Sequence, residues 1–436
     1  MTSRRDIITG ALCAGVAAVA APLRAAARRA QRVTAMRWQD GPVVRLGGLG
    51  DGYKMSVARD GRQLVVVNDG PGWTDPPRAF YNSRLWTLEG TPDAPTFREV
   101  ATYPDLDMAT RPEDAPRYHG HGIVAAKGRI YQFLSTLDRA EDRPRHWTGA
   151  KLIWSDDDGR SWHNQDGSSP VRFEDWSEQS ADTLAFFDAP DGCFSLLSIA
   201  QMGRDYSANR DGYLYVYGLN GNVDGKMNEL LMFRAPVGRL EDRGTYEYFS
   251  GHGASGAARW SREIGARAVV HRFPAGRVNS VNLFPGDLVV ESWLPSVAYN
   301  EALGVYMMAS AGIGVGPDGT EFGTTSYFGL WVADAPWGPW RQVHADRDWT
   351  PDGDREARAY APQIAPGWIA ADGRSLWIVW ADVKGIRAFG KDEALLAAAL
   401  EKAQGPQEHS RIEVDFLRRY MPGFAFNAQR IELVLA

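Results

Sequence analysis

GDGYKMSVARDGRQLVVVNDGPG, residues 50–72, carries Asp-Gly three times at equal steps, at Asp51, Asp60 and Asp69. Asp-Gly marks a turn wherever it occurs, and the middle pair fits the turn of a hairpin joining Tyr53–Arg59 to Arg62–Asn68. In an antiparallel pair closed there, positions summing to about 120 face each other, so Asp51 and Asp69 meet at the open end, about 5 Å apart at Cβ if directly paired. Facing carboxylates repel. A sheet accepts them only where something is gained.

The same rhythm of short apolar strands and turn residues runs through the chain. RQLVVVN (62–68), GRIYQFLS (128–135), GYLYVYGLN (212–220), LGVYMMAS (303–310) and RSLWIVWA (374–381) are rich in β-branched and aromatic residues, and most follow a turn. Only Lys391–Lys402 reads as helix. A chain so rich in strands has many edges to protect, and closing the sheets into a ring removes the problem. A coarse unit of inner strand, turn, second strand and longer excursion begins near Asp51, His119, Asp182, Glu291 and Tyr360. The expectation is an all-β, five-bladed β-propeller with one short C-terminal helical insertion, spanning residues 47–436 behind an N-terminal segment at 28–46. A pair of β-sandwiches is the structural alternative.

Composition excludes other classes. With 436 residues, 44% hydrophobic and net charge −6, the chain has ample core, and its scattered Arg and Lys form no stripe for a nucleic-acid backbone. Residues 1–27 combine the basic pair of SRRDII, an apolar run from Ile7 to Ala21 and Ala25–Ala27, which reads as a twin-arginine export signal. Export to the periplasm or the exterior is expected. The run is too short for a stable membrane anchor, which would need about 20 residues. Once the signal is removed only Cys193 remains, in an apolar stretch that suits a core thiol.

WSDDDGRSW, Trp154–Trp162, fits the pattern Ser-x-Asp-x-Gly-x-Ser-Trp through Ser155, Asp157, Gly159, Ser161 and Trp162. This is an Asp-box, in which a carboxylate and a Gly close a tight hairpin while the Trp packs back on the sheet. Its acids are therefore structural, as are those of similar boxes on sugar-handling propellers.

An Asp before Gly is ordinarily a loop residue bonding its own backbone. Mirrored placement at the opening of an inner strand singles out Asp51 and Asp69, because such positions face the funnel of a propeller. Paired acids are what glycoside hydrolysis requires, one to protonate the leaving oxygen and one to attack the sugar or activate water. Asp182 and Glu291, each just ahead of an inner-strand pattern, are candidates for an assisting acid. His119 and His121 share one face of a strand; lacking a third ligand, they suit substrate hydrogen bonding better than a metal. Tyr360 opens the last blade, and Trp73 and Trp293 stand beside candidate acids where they can stack on a sugar. No cofactor is expected, although a structural cation in the funnel stays open.

GDGYKMSVARDG, NDGPGW, YNSRLWTLEG (81–90), YHGHGIVAAKGRIY, the Asp-box, LPSVAYNEALGVYMM, GLWVADAPWGPW (329–340) and YMPGFAFNAQRIEL occur in that order. Together they resemble a bacterial propeller family, formerly known only as a domain of unknown function, that includes secreted endo-D-arabinanases. The resemblance covers about Gly47 to Ala436. It implies a glycoside hydrolase acting on a furanoside polysaccharide, with catalytic acids at Asp51 and Asp69. Where that family often has Gly-Asp this chain has Asn68-Asp69, and residues 218–284 read as an insertion near the funnel. A non-catalytic carbohydrate-binding propeller is the leading alternative. A sialidase-like enzyme ranks third, because no Arg stands at the blade openings to grip a carboxylate.

Overall fold

Each of the five apolar runs becomes the second strand of a blade: Gln63–Gly72, Arg129–Leu137, Tyr213–Leu219, Val305–Gly312 and Ser375–Asp382. They are largely apolar because neighbouring blades cover both of their faces. The computed structural model describes residues 32–39, 41–75, 80–106, 115–137, 147–221, 227–274, 293–317 and 320–436. In it the strands form five antiparallel sheets, a five-bladed β-propeller as expected.

The inner strands are Leu49–Asp51 with Met55–Val57, Tyr118–Ala126, Leu197–Ile199, Trp293–Asn300 and Ala359–Ile364. Each runs from the funnel mouth toward the far face, and the second strand returns. The ring closes where the fifth blade meets the first: Gly367 N–H donates to Gln63 Oε1 at 2.8 Å and Trp368 Nε1 donates to the Gly90 carbonyl at 3.0 Å.

Residues 28–46 were read as a segment ahead of the propeller, yet Val33–Trp38 pairs with Asn427–Leu435 as the outer strand of the fifth blade. Both ends of the described chain thus share one sheet. Trp38 from this strand stacks on the buried Trp349 of the fourth blade, 6.0 Å between ring centres, and seals the seam between blades. Losing such an aromatic costs about 3–5 kcal/mol.

The third blade begins at Leu197 rather than near Asp182, and the described residues of the expected insertion, 218–221 and 227–274, are part of that blade. They supply its body, Glu229–Pro236, Glu247–His252 and Ala258–Ser261. The unit was misplaced because the inner strand of this blade is only three residues long. The helical excursion lies in the fifth blade, between its second and third strands, as Ile386–Lys391, Glu393–Leu400 and Pro406–Tyr420. The longest of the three was not read from sequence; its Val414 and Leu417 are buried against the first and fifth blades. Cys193 is buried and free, as expected of a core thiol.

Four of the inner strands break register near the mouth, between Leu49 and Asp51, Gly120 and Ile123, Trp293 and Ser296, and Tyr360 and Gln363. Bulges of this kind bend a strand and re-aim its side chains. Lys54, Gly122, Pro295 and Gln363, at or beside these breaks, line a cavity of about 10 Å³ on the propeller axis, room for about one water.

Candidate active site

The first hairpin obeys the expected register near its turn and slips at its open end. Met55 pairs with Val65, Ser56 with Leu64 and Val57 with Gln63, but Asp51 pairs with Asn68 and Leu49 with Gly72. Asp69 takes up the slip with a left-handed backbone, φ 50°. Glycine at 50 and 70 lets the strands approach this closely. A Cβ on Gly70 would lie 2.3 Å from the Leu49 carbonyl oxygen, and one on Gly50 2.6 Å from that of Asn68. Tyr53, fully buried, ties the bend by donating its hydroxyl to the Gly48 and Gly50 carbonyls at 2.6 and 2.7 Å.

Asn68 then locks the first blade to the second. Its amide donates to the Gly120 carbonyl at 2.9 Å and its oxygen accepts from the Gly120 N–H at 3.0 Å. This clasp fixes Asp69 beside His119, whose Nε2 lies 3.4 Å from Asp69 Oδ1. Asp51 is half-buried, and burial first, then the charge of Asp69, push its carboxyl well above the usual carboxylate range. Two acids on neighbouring strands thus differ in surroundings: Asp51 is drawn toward the neutral, proton-bearing form, while the Asp69 side chain keeps 37% of its exposure.

His121 is more enclosed than its expected role in substrate binding requires. It is buried, with Nδ1 2.7 Å from Ser135 Oγ, and burial, then Lys54 and then His119, push its imidazole well below its usual range, so it stays neutral. Lys54 itself is buried beneath the mouth, and desolvation lowers its ammonium to about 7. Trp147 sets its ring edge-on to both histidines, 5.2 Å from His119 and 5.5 Å from His121 between centres.

Trp147 also borders an apolar cluster. Leu196, Leu219 and Ile313 form a buried cluster from the third and fourth blades, with Trp147, Phe322 and Tyr360 packed against it. The half-buried Tyr360 meets Phe322 at a right angle, 5.4 Å between centres. Arg117 and Arg358 stand just ahead of the inner strands of the second and fifth blades, where no Arg was expected, and Arg358 is engaged by carbonyls: Nε donates to Phe322 and one terminal nitrogen to Ala357, both at 2.8 Å.

Other candidates fall elsewhere. Asp182 sits exposed in a turn of the second blade, ahead of its strand Phe186–Phe187, and not at the opening of an inner strand. Trp73 is unavailable for sugar stacking, since Phe97 covers one face at 3.7 Å and 11° while its Nε1 donates to the Leu46 carbonyl. Glu291 lies outside the described residues, as does the side chain of Trp293, whose backbone opens the inner strand of the fourth blade. The buried Asp382 was not singled out from sequence. It ends the second strand of the fifth blade, the counterpart of Asp69, but accepts from the backbone N–H groups of Arg358 and Lys384 at 2.8 and 2.9 Å and so anchors the chain. Among the described residues no group of three or more His, Cys, Asp or Glu is arranged to hold a metal.

No family model matches the chain, and no curated protein does. Solved structures do. A hydrolase of Bacteroides ovatus described as putative aligns over 88% of this chain and 86% of its own, at 14% identity and a TM-score of 0.46. The catalytic domain of a GH62 alpha-L-arabinofuranosidase from Coprinopsis cinerea aligns over 93% and 99% respectively, at 10% identity and 0.43. An endo-arabinase of Bacteroides thetaiotaomicron aligns over 78% and 90%, at 11% and 0.40.

Proposed function

We propose that the protein is an exported glycoside hydrolase acting on a neutral furanoside polysaccharide of the arabinan class. The observation that carries this reading is that Asp51, paired with Asn68, stands near enough to Asp69 on the adjacent strand for its neighbour's charge to raise it, while the two acids keep unlike surroundings. Asp51, raised by burial and by its neighbour's charge, is suited to protonate the leaving oxygen; Asp69 is suited to attack the sugar or activate water. Tyr360, half-buried against the apolar cluster, offers an aromatic for the C–H face of a sugar ring. Arg358, already engaged with carbonyls, gives little support to a site that grips an acidic sugar, which argues against the sialidase-like alternative.

The test is incubation with arabinans, galactans and a mycobacterial-type arabinogalactan, with products separated by chromatography. Release of arabinose oligomers supports the reading, and the anomeric form of the first product distinguishes attack by Asp69 from attack by water. If no polymer yields a product while one of them binds, the funnel is a binding module instead.

A further inference from the structure

Three features of the second blade's opening converge on one side chain that the paired acids alone do not explain. His119 stands beside Asp69, Nε2 to Oδ1 at 3.4 Å; its backbone neighbour Gly120 is clasped by both ends of the Asn68 amide; and Trp147 braces its ring edge-on. A ring held from two sides beside one carboxylate of a pair is placed to orient that carboxylate. The His119 Nδ1 atom is buried with no hydrogen-bond partner among the described residues. A proton there would be a buried donor without an acceptor, which is costly, so the single N–H belongs on Nε2, facing Asp69. At 3.4 Å the pair is an ion-pair contact rather than a formed hydrogen bond, and catalytic hydrogen bonds commonly close only in the complex with substrate.

Building on the proposed glycosidase reading, we infer that His119 is a positioning residue whose Nε2–H holds the Asp69 carboxylate in the orientation for attack or for activating water. Asp51 has no such partner in view and keeps the proton-donor task. The charged and titratable groups around the imidazole are Asp69 and Asp51 from the first hairpin, Lys54 behind that bend, and His121 on its own strand. Of these only Asp69 is recorded within ion-pair distance of His119.

Two substitutions separate orientation from packing. His119→Phe keeps a ring against Trp147 and loses the donor; His119→Gln loses the ring and keeps an N–H within reach of Asp69. With whichever polymer the chromatographic assay shows to be cleaved, His119→Phe is expected to lower kcat by on the order of 10- to 100-fold with KM within about twofold, and His119→Gln to recover most of that loss. Melting temperatures report whether each variant is folded. The reverse order, with Phe active and Gln not, would show that the ring only packs, and equal activities, whether both high or both low, overturn the inference as well. In each of those cases Asp51→Asn and Asp69→Asn still report on the hydrolase itself. A wild-type protein inert on every polymer removes both readings together.

Discussion

Asp51 and Asp157 are both aspartates in Asp- and Gly-rich turns, and they have opposite fates. Asp157 closes the hairpin on the outer edge of the second blade, at the face away from the mouth. One of its oxygens accepts the backbone N–H groups of Arg160 and Ser161 at 2.9 Å and the Ser155 hydroxyl at 2.9 Å, while the other accepts the Ser161 hydroxyl at 2.7 Å. Against a burial that pushes it up, bonds led by those of Ser161 bring its carboxyl down to about 2. Asp51 has burial and a like charge for neighbours, and its carboxyl goes the other way. The residue type is the same in the two turns. What differs is whether donors are supplied, and that separates a carboxyl held ionised in a turn from one drawn toward its protonated form.

The widest contrast should appear in turnover. Asp51→Asn and Asp69→Asn are each expected to lower kcat on the active polymer by about 10³-fold or more, with melting temperature held or raised. Asp157→Ala should leave kcat alone and lower stability by about 1–2 kcal/mol, read from chemical denaturation. Activity lost at Asp157, or kept at Asp51, would erase the distinction between the two turns.

Acid should sharpen the comparison. For Asp157 the folded pKa, about 2, lies below the ordinary 3.8, so its contribution to stability is present above 3.8 and is lost as pH falls toward 2. For Asp51 the folded pKa lies above 3.8, so its native state holds the proton more tightly, and stability declines as pH rises through the interval between the two values. Asp51→Asn removes that decline. The variant should therefore be more stable than the wild type at pH 7, with the gain vanishing as pH falls below the ordinary carboxylate value, as denaturation across a pH series would measure.

How much of this was legible in the sequence follows from what each residue depends on. The second strands could be read because they are covered on both faces and so stay largely apolar. Asp157 and its turn could be read because every partner lies within four residues. The inner strands were harder, since three-residue segments such as Leu197–Ile199 carry no period, and bulges break the rest. Trp73 misled because its neighbour across the fold, Phe97, is set by the pairing of distant strands. The outer strand at Val33–Trp38 was missed because its partner is nearly 400 residues away, at the other end of the chain. His119 was visible as a residue near the mouth, but its contact with Asp69 depends on the Asn68 clasp between blades, which no local pattern announces.

The smallest effect belongs to the third Asp of the opening stretch. Asp60 sits exposed at the far end of the hairpin, where Gly61 takes φ 95° and the Ala58 and Arg62 backbones bond across the turn at 2.8 Å. Its carboxylate accepts the Arg62 N–H at 3.0 Å and pairs with the Arg62 guanidinium, an exposed ion pair of the kind worth little. Asn keeps an acceptor for the same N–H and suits the same turn. Asp60→Asn should therefore hold kcat within about twofold and stability within about 0.5 kcal/mol. A large loss of activity there would mean that the turn, rather than the clasp at Asn68, sets how Asp51 and Asp69 meet.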